Sequence, residues 1–118
     1  MGEFTWPVGV WSADQKQLET VDAAVDTGAS YSVFPQSMLE RLGIWRLERE
    51  VGFEQSDGTV VEMDVGVVWM TINGRSRPSS VAFGRDDAGA LLGANALQEF
   101  LLLIDPVGEQ LVSRTGRL

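Results

Sequence analysis

Short apolar runs, separated by glycines and small polar residues, make up most of the chain. Val, Ile, Phe and Trp are frequent in these runs, and several runs alternate with polar residues as half-buried strands do. The pattern therefore predicts a mainly β protein. The predicted strands are residues 4–11, 17–25, 31–34, 47–55, 59–72, 79–83, 90–92, 101–104 and 110–112.

Two segments instead have the spacing of short helices. Pro35 suits the first turn of a helix. The N–H groups of that turn have no acceptor within the helix, so the N–H that proline lacks is not needed there. Met38, Leu39 and Leu42 would form its buried face. Gly43 would end it.

The second helix is predicted over residues 95–100. Asn95 would cap it, and Gln98 follows three residues later as in a capping box. Leu97 and Phe100 would face the core, so this helix too is expected to be held by packing on one side.

Residues 51–72 give the clearest hairpin in the sequence. The turn sequence Ser56-Asp57-Gly58-Thr59 tolerates positive φ and separates two β-rich arms. In the second arm Glu62 and Asp64 alternate with apolar residues, whereas residues 67–72 are apolar or neutral on both faces. We expect a long ribbon with an exposed tip and a base that is buried on both faces.

Size and composition limit the class of protein. The chain has 118 residues, of which 44% are hydrophobic and 22% are charged. These values are typical of a single globular domain, here expected to span residues 1–118. Seventeen acidic against nine basic residues give a net charge of −8. Nucleic acid is therefore disfavoured as a partner, because binding phosphates requires positive charge.

Histidine and cysteine are both absent from the sequence. Ser-His-Asp and Cys-His catalysis are therefore excluded, as are zinc sites with imidazole or thiolate ligands. A chain without cysteine fits a reducing compartment. The first residues lack the basic and apolar parts of a signal peptide, and the longest apolar run, 100–104, is too short to span a bilayer. We predict a cytoplasmic protein without a membrane partner.

One carboxylate has an unusual place in this pattern. Asp26 follows the apolar end of a predicted strand and precedes a run of small, turn-forming residues, Thr27 to Ser30. Burying a lone carboxylate costs several kcal/mol unless it is hydrogen-bonded, paired or protonated. Asp26 is therefore either a solvated turn residue or a functional acid, and the residues around it leave both possibilities open.

Residues 24–29, AVDTGA, resemble the active-site loop of the retropepsin-like aspartic peptidases, in which two apolar residues precede Asp-Thr/Ser-Gly-Ala/Ser. Residues 90–95, ALLGAN, resemble the apolar-apolar-Gly element before the short C-terminal helix of that family. The hairpin at about 51–65 lies where the family has its flap. The resemblance covers about residues 21–112. It implies a mainly β, closed barrel-like retropepsin fold with two short helices, functional as a symmetric homodimer.

The resemblance implies a role for each residue of this loop. Asp26 would be the catalytic carboxylate. Thr27 would hydrogen-bond across the dimer and brace the two loops, and Gly28 would offer its backbone to a bound peptide. Ala29 and Ser30 would line the inner subsites of the substrate cleft.

The resemblance also implies roles for two further segments. Leu91, Leu92 and Gly93 would support it from below, Gly93 because a side chain there would crowd it; an ordinary turn glycine is the alternative. At the flap tip, backbone groups between Asp57 and Thr59, with Gly58 at the turn, would hydrogen-bond to substrate. A simple exposed hairpin is the alternative there.

Peptide hydrolysis by carboxylates needs two of them sharing one proton. The chain has one Asp-Thr-Gly and is too short for two lobes, so the second Asp26 must come from another subunit of a twofold homodimer. The predicted function is an aspartic endopeptidase acting on an extended peptide, without a metal or other cofactor. The alternatives are a catalytically silent retropepsin-fold module that binds an extended peptide and an interaction module of a longer chain.

The chain departs from retroviral members of the family at two positions. An acidic residue two after the glycine commonly pairs there with an Arg just after the downstream glycine, but these positions hold Ser30 and Ala94. No unpaired charge is left, yet the dimer contact must come from elsewhere. Either the N-terminal segment with Phe4, Trp6 and Trp11 or residues 111–118 could supply a dimer sheet; plain core or a frayed tail is the alternative for each.

Two other pairs of residues are assigned no chemistry. Asp86 and Asp87 are predicted to lie in a solvated loop, since no other potential ligand accompanies them. Trp45 and Trp69 are predicted to lie in the core.

Overall fold

The computed structural model describes residues 4–116 and 118. Within them every predicted strand is present, and the mainly β class is confirmed. The elements are β1 (Thr5–Trp11), β2 (Leu18–Val25), β3 (Ser32–Pro35), α1 (Gln36–Arg41), β4 (Glu48–Glu54), β5 (Val60–Ile72), β6 (Arg75–Gly84), a 3-10 turn (Asp86–Ala88), β7 (Ala90–Leu92), α2 (Ala94–Glu99), β8 (Leu102–Asp105) and β9 (Gln110–Ser113).

Six of these strands close a barrel in the order β1, β2, β7, β3, β6, β5. The ring closes where β1 pairs with β5, with Gly9 opposite Thr71 and Val10 opposite Met70. β4 adds a seventh strand beside β5, and β8 and β9 form a separate two-stranded sheet. The predicted closed barrel is therefore confirmed.

The core fills the barrel and extends under the two helices. Because successive side chains of a strand point to opposite faces, each barrel strand contributes alternate residues to it. The largest fully buried side chains include Phe34, Phe100, Leu39, Met70 and Ile72. They come from two barrel strands, β3 and β5, from α1 and from the residue after α2, so one core joins all these elements.

The first helix has the predicted buried face. Met38, Leu39 and Leu42 are buried, and Gly43 follows the helix with φ of +76°. Pro35 is the residue just before the helix rather than its first residue. Both α-helices have six residues, and no helix in the described part of the chain is long and apolar enough to cross a bilayer.

β5 and β6 form a tight hairpin that was not predicted from the sequence. The predicted strand 79–83 begins four residues earlier, at Arg75, and pairs with β5 directly across a two-residue turn. Asn73 and Gly74 form that turn with φ of +53° and +77°. Asn-Gly is the strongest short-range hairpin signal, because both residues tolerate positive φ. The sequence therefore contained the information for this hairpin.

Two predictions about burial are wrong. Val67 is 45% exposed and Trp69 is 43% exposed, so residues 67–72 are buried on one face only. A closed barrel turns alternate side chains outward, and no second layer covers that face in the described part of the chain. Trp45 is 77% exposed, in the irregular segment between α1 and β4.

Candidate active site

Asp26 is the first residue after β2. Its backbone N–H donates to the Leu92 carbonyl at 3.0 Å, which continues the parallel pairing of β2 with β7 by one residue. The residue is half-buried, and its Oδ1 accepts the Gly28 N–H at 2.8 Å. This bond closes an Asx turn. The strand end and the turn together hold the carboxylate in one orientation.

The other residues of the predicted loop follow directly. Thr27, Gly28 and Ser30 are exposed, and Ala29 is half-buried. A Cβ at Gly28 would lie 3.2 Å from the Oδ1 of Asp26, which is a tight contact. The backbone approaches the carboxylate closely at this glycine, and the loop presents its polar groups to solvent.

Main-chain hydrogen bonds join the loop to α2. The Ala94 N–H donates to the Ala29 carbonyl at 2.8 Å, and the Asn95 N–H donates to the Ser30 carbonyl at 3.2 Å. These residues include the two positions, Ser30 and Ala94, where retroviral members commonly carry a charged pair. Here main-chain bonds, which need no particular side chain, connect the same two segments.

β7 lies between β2 and β3 and supports the loop from the side of the barrel. Leu92 is opposite Val25, and Leu91 is opposite both Ala24 and Val33. Leu92 is fully buried in the core, whereas Leu91 is half-buried on the other face of the sheet. The predicted supporting segment is therefore adjacent to the Asp26 loop.

Gly93 permits two segments of backbone to approach each other. A Cβ there would lie 2.5 Å from the carbonyl carbon and oxygen of Tyr31 and 2.9 Å from the Ser32 nitrogen. The Gly93 N–H donates to the buried Ser32 hydroxyl at 3.0 Å. Because the crowding atoms belong to the backbone, no side-chain rotation could relieve the clash.

Asn95 does not cap α2, contrary to the prediction. The helix begins at Ala94 after Gly93, with no side-chain cap. The Asn95 side chain instead accepts the Ser32 N–H at 3.1 Å and donates to the Ser80 carbonyl at 2.8 Å and the Ser79 hydroxyl at 3.3 Å. It thus joins α2 to β3 and β6. An Asn near the start of a helix is typical of an N-cap, so the sequence alone could not distinguish a cap from this bridging role.

The predicted flap is the β4–β5 ribbon, and its tip is exposed as expected. At the tip, Gly58 has φ of +87°, and the Asp57 Oδ1 accepts the Thr59 hydroxyl at 2.6 Å and the Thr59 N–H at 2.9 Å. The hydroxyl and then the N–H of Thr59 hold the pKa of the Asp57 carboxyl below its usual value. The Gln55 N–H donates to the Thr59 carbonyl at 2.7 Å, which closes the turn.

The flap is fixed at its base by polar contacts and is joined nearer its tip to the segment before β3 by an aromatic contact. Asp64 accepts the Glu50 N–H at 3.0 Å and pairs with Arg46 at 2.7 Å. The Glu50 N–H, followed by Arg46, holds the pKa of the Asp64 carboxyl below its usual value. Nearer the tip, the Phe53 ring packs edge-on against Tyr31, with 5.6 Å between ring centroids. Tyr31 belongs to the segment that follows the Asp26 loop.

A groove of about 670 Å³ lies beneath the flap. Leu91, which is opposite Ala24 of β2, lines this groove, whereas neither Asp26 nor the flap-tip residues 57–59 are among its lining residues. Of the apolar residues in the wall, Leu91 was predicted from the sequence and the others were not. The lining residues are Val33, Gln36, Gln55, Val61, Glu62, Met63, Phe83, Gly84, Arg85, Ala88, Gly89 and Leu91.

The remaining acidic residues form no cluster of metal ligands in residues 4–116 and 118. Asp86 and Asp87 are exposed; Asp86 accepts the Ser37 N–H at 2.9 Å, and Asp87 pairs with Arg85 at 2.7 Å. The predicted solvated loop is therefore confirmed.

Comparison with known proteins agrees with this architecture. A family model described as gag-polyprotein putative aspartyl protease matches residues 16–99. This region contains the Asp26 loop, the flap, β7 and α2. No curated protein matches the chain by sequence.

Solved structures share the fold at low identity. The EIAV protease complexed with the inhibitor HBY-793 is 24% identical, covers 94% of this chain and 93% of its own, and has a TM-score of 0.62. The retroviral protease-like domain of Ddi1 from Leishmania major is 20% identical, over 96% and 89% of the two chains, with a TM-score of 0.66.

A bacterial structure has the same architecture. A retropepsin-like aspartic protease from Rickettsia conorii is 19% identical, over 89% of this chain and 78% of its own, with a TM-score of 0.62. At these identities the structures establish the fold, and the family model, which spans most of the chain, establishes the relationship. The chain belongs to the gag-polyprotein putative aspartyl protease family and has a retropepsin-like domain.

Proposed function

We propose that the chain is an aspartic endopeptidase that hydrolyses peptide bonds as a homodimer, with one catalytic Asp26 from each subunit. The observation that carries this proposal is the setting of Asp26. The carboxylate of this half-buried residue stands at the end of a barrel strand, oriented by the Gly28 N–H, in a loop bonded to both β7 and α2. Preorganisation of this kind is what a catalytic acid or base requires.

The chemistry needs two carboxylates that share one proton. The ionised member takes a proton from water as the water oxygen bonds to the peptide carbonyl carbon. The protonated member donates a hydrogen bond to the carbonyl oxygen and stabilises its developing charge. Cleavage of the C–N bond then transfers a proton to the leaving amine. One chain supplies one such Asp, so the twofold partner supplies the other.

The loop residues take complementary roles in this proposal. Exposed Thr27 braces the two loops across the dimer, and exposed Gly28 offers backbone groups to the peptide. Ala29 and Ser30 border the inner subsites, while α2 holds their carbonyls in place. An extended peptide lies between this loop and the flap tip, where backbone groups around Gly58 pair with it.

Leu91, Leu92 and Gly93 are positioning residues in the same scheme. They carry no reacting group, and they act by keeping the Asp26 loop against β7. The whole chain, residues 1–118, is proposed to act as one retropepsin-like domain per subunit. The groove beneath the flap receives substrate side chains.

The experiment that tests the proposal is Asp26→Asn, assayed against a peptide library. The amide oxygen still accepts the Gly28 N–H, so the fold is expected to persist. Cleavage should fall by at least about 1,000-fold, because an amide cannot accept the proton of water. Mixed dimers of one parent and one substituted subunit should be nearly inactive as well. Asp22→Asn, at an exposed acid of the preceding strand β2, is the matched control and should cleave at the parent rate.

Two results would contradict the proposal in different ways. A folded Asp26→Asn variant that cleaves at the parent rate would show that Asp26 is not the catalyst. A parent protein that binds peptides but never cuts them at any pH would establish the silent peptide-binding module instead.

A further inference from the structure

Two tryptophans face each other on the outer surface of the barrel. Val10 of β1 is opposite Met70 of β5 in the antiparallel pairing that closes the ring. Continuing this register by one residue brings Trp11 opposite Trp69. Val10 and Met70 are fully buried, and successive side chains of a strand point to opposite faces. Both indoles therefore lie on the outer face.

A cavity of about 270 Å³ opens on this face and is lined by Trp11, Gln15, Trp69 and Ser76. We call it the tryptophan slot. Trp69, Gln15 and Ser76 are exposed, and Trp11 is half-buried. Neighbouring aromatic rings that remain exposed offer a large apolar area for a ligand to cover, which is typical of interaction sites.

Hydrogen bonds hold the walls of the slot in place. The Trp11 indole N–H donates to the Thr71 hydroxyl at 3.0 Å, and the Thr71 and Ser76 hydroxyl oxygens lie 2.7 Å apart. The Gln15 N–H donates to the Ser12 carbonyl at 2.8 Å, which fixes the backbone of the loop beside the rings. The slot is therefore organised before a ligand arrives, and this reduces the entropy lost on binding.

The chemistry of the lining favours a planar cation. The face of an aromatic ring attracts positive charge, and tryptophan does so most strongly. The amide oxygen of Gln15 and the hydroxyl oxygen of Ser76 are hydrogen-bond acceptors at the same slot. An arginine guanidinium is planar, stacks on aromatic faces and donates several N–H bonds, whereas a lysine ammonium is compact and strongly hydrated. Arginine therefore fits this lining better than lysine.

The charge of the chain also favours a basic partner. Its net charge of −8 attracts positively charged segments over a distance. In the loop that carries Gln15, Asp14 and Lys16 are both exposed and offset each other. The Ser12 hydroxyl, followed by the Lys16 N–H, holds the pKa of the Asp14 carboxyl below its usual value. This carboxylate therefore stays charged near neutral pH.

The sheet around the slot adds no opposing charge. Leu18 is opposite one indole and Pro78 is opposite the other, and both are uncharged. Arg75 and Arg77 flank Ser76 on β6, but strand alternation turns them to the other face of the sheet, where both are half-buried. The cations of β6 therefore do not face the slot.

We propose that the tryptophan slot binds an arginine side chain in a basic segment of a partner protein. The guanidinium stacks on the indoles and donates to the oxygens of Gln15 and Ser76. Leu18, opposite Trp11, begins β2, and Asp26 follows the end of that strand, roughly 25 Å further along it. The slot is thus separate from the candidate active site, and this interaction goes beyond the proposed function.

A peptide titration followed by heteronuclear NMR tests the proposal. The probe is a short, end-capped Gly-Ser peptide with two adjacent arginines. In the matched probe, citrulline replaces arginine, which keeps the shape and removes the charge. The chain has four tryptophans, each with one indole N–H signal. The signals of Trp11 and Trp69 should shift, and those of Trp6 and Trp45 should not. The citrulline probe should bind about 10-fold more weakly or worse.

Removing one wall of the slot should weaken binding. Trp69→Ala leaves the net charge unchanged, so any general attraction between an acidic protein and a basic peptide persists. The dissociation constant should nevertheless rise about 10-fold or more. Trp45→Ala, at an exposed tryptophan outside the slot, is the matched control and should bind like the parent. Circular dichroism melts should show both variants folded, since both side chains are exposed in the parent.

A second pair of variants retains both tryptophans. Gln15→Lys places a cation at the slot and should weaken binding of the arginine probe about 10-fold. Gln17→Lys makes the same change of charge at an exposed residue of the same loop that does not line the slot. It should weaken binding less than about 2-fold at physiological salt, because solvent and ions screen charges that are not in contact.

The outcomes separate the slot from the catalytic function. Asp26→Asn should bind the arginine probe like the parent. If the citrulline probe binds as tightly as the arginine probe, or Trp69→Ala and Gln15→Lys bind like their controls, the arginine site is wrong and the proposed function is unaffected. Indole shifts caused only by a proline-rich peptide would identify a site for neutral peptides and overturn the arginine site too. If the expected differences appear but the parent cuts no peptide, the slot stands and the function is wrong.

Discussion

The loop at Asp26 and the tip of the flap at Asp57 contain the same local hydrogen bond. In each, a carboxylate Oδ1 accepts a backbone N–H two residues later, at 2.8 Å from Gly28 and at 2.9 Å from Thr59. Both are Asx turns made from Asp, Thr and Gly. Local sequence chemistry therefore gives the two turns one geometry, although we propose catalysis at only one of them.

The two turns differ in what holds them from outside. The Asp26 loop is bonded to distant segments, through the Leu92 carbonyl and through the Ala94 N–H. The bonds of the flap tip stay between Gln55 and Thr59, and its residues are exposed. The first turn is therefore fixed by the tertiary structure, and the second is only as rigid as its own few bonds.

The difference matches the demands of the proposed mechanism. A catalytic carboxylate must be held before substrate arrives, because reorganisation during the reaction would raise the barrier. A flap must open to admit a peptide and close over it, and segments with few nonlocal bonds open at the lowest free energy. Matched changes in the two regions should therefore have unequal effects.

The largest difference in unfolding free energy is expected between two glycine substitutions. Gly93→Ala forces a Cβ to within 2.5 Å of the Tyr31 backbone and should cost about 2–4 kcal/mol of unfolding free energy. Gly58→Ala meets no atom within 4 Å, and its φ of +87° should cost only about 1–2 kcal/mol. Chemical denaturation of both variants measures the two losses. Equal losses, or a larger one at Gly58, would contradict the assignment of Gly93 to a close backbone contact.

The sequence predicted what depends on short-range pattern or on the family motif. The strands, the buried face of α1 and the flap ribbon follow from periodicity and turn residues, as at Gly43 and Gly58. The barrel came from the resemblance at Asp26 and Gly93, because periodicity cannot specify which strands pair.

Other features depend on tertiary contacts that the sequence does not encode locally. Trp45 is apolar yet lies outside the core, because the chain there runs over the surface between α1 and β4. Leu103 of β8 is 52% exposed, and its position on the outer face of the hairpin is evident only once the register is known. The turn at Asn73 differs from these features, because its Asn-Gly hairpin signal is present in the local sequence.

A smaller difference in unfolding free energy is expected between alanine variants of two amide side chains. Asn95→Ala removes the acceptor for the Ser32 N–H and the donor to the Ser80 carbonyl, leaving both partly buried groups without that partner. The expected loss is about 2–3 kcal/mol. Gln55→Ala removes an exposed contact to the Thr59 hydroxyl and should cost less than about 0.5 kcal/mol.

Activity provides the second measurement for this pair. Because Asn95 acts through the backbone around the Asp26 loop, its loss should lower kcat more than Gln55→Ala does, at a temperature where both variants are folded. If Asn95→Ala is as stable and as active as Gln55→Ala, the bridge from α2 to β3 and β6 does not position the site.

The smallest effect concerns the titration of Asp57. The Thr59 hydroxyl and N–H hold the pKa of this carboxyl below its usual value in the folded protein. A carboxyl with a lowered folded-state pKa adds stability above its unfolded-state pKa, and this contribution disappears as the pH falls through the folded-state value.

Thr59→Val removes the hydroxyl and keeps the N–H. The pKa of Asp57 should therefore rise part of the way towards its usual value, as measured by carbon-detected NMR titration. The variant should melt slightly below the parent at neutral pH, and the gap should close as the pH falls below the folded-state pKa of Asp57, where the carboxyl is protonated in both states. Thr20→Val, at an exposed threonine of β2, should leave the Asp57 titration unchanged. An unaltered Asp57 titration in Thr59→Val would show that the flap turn is not held by this bond.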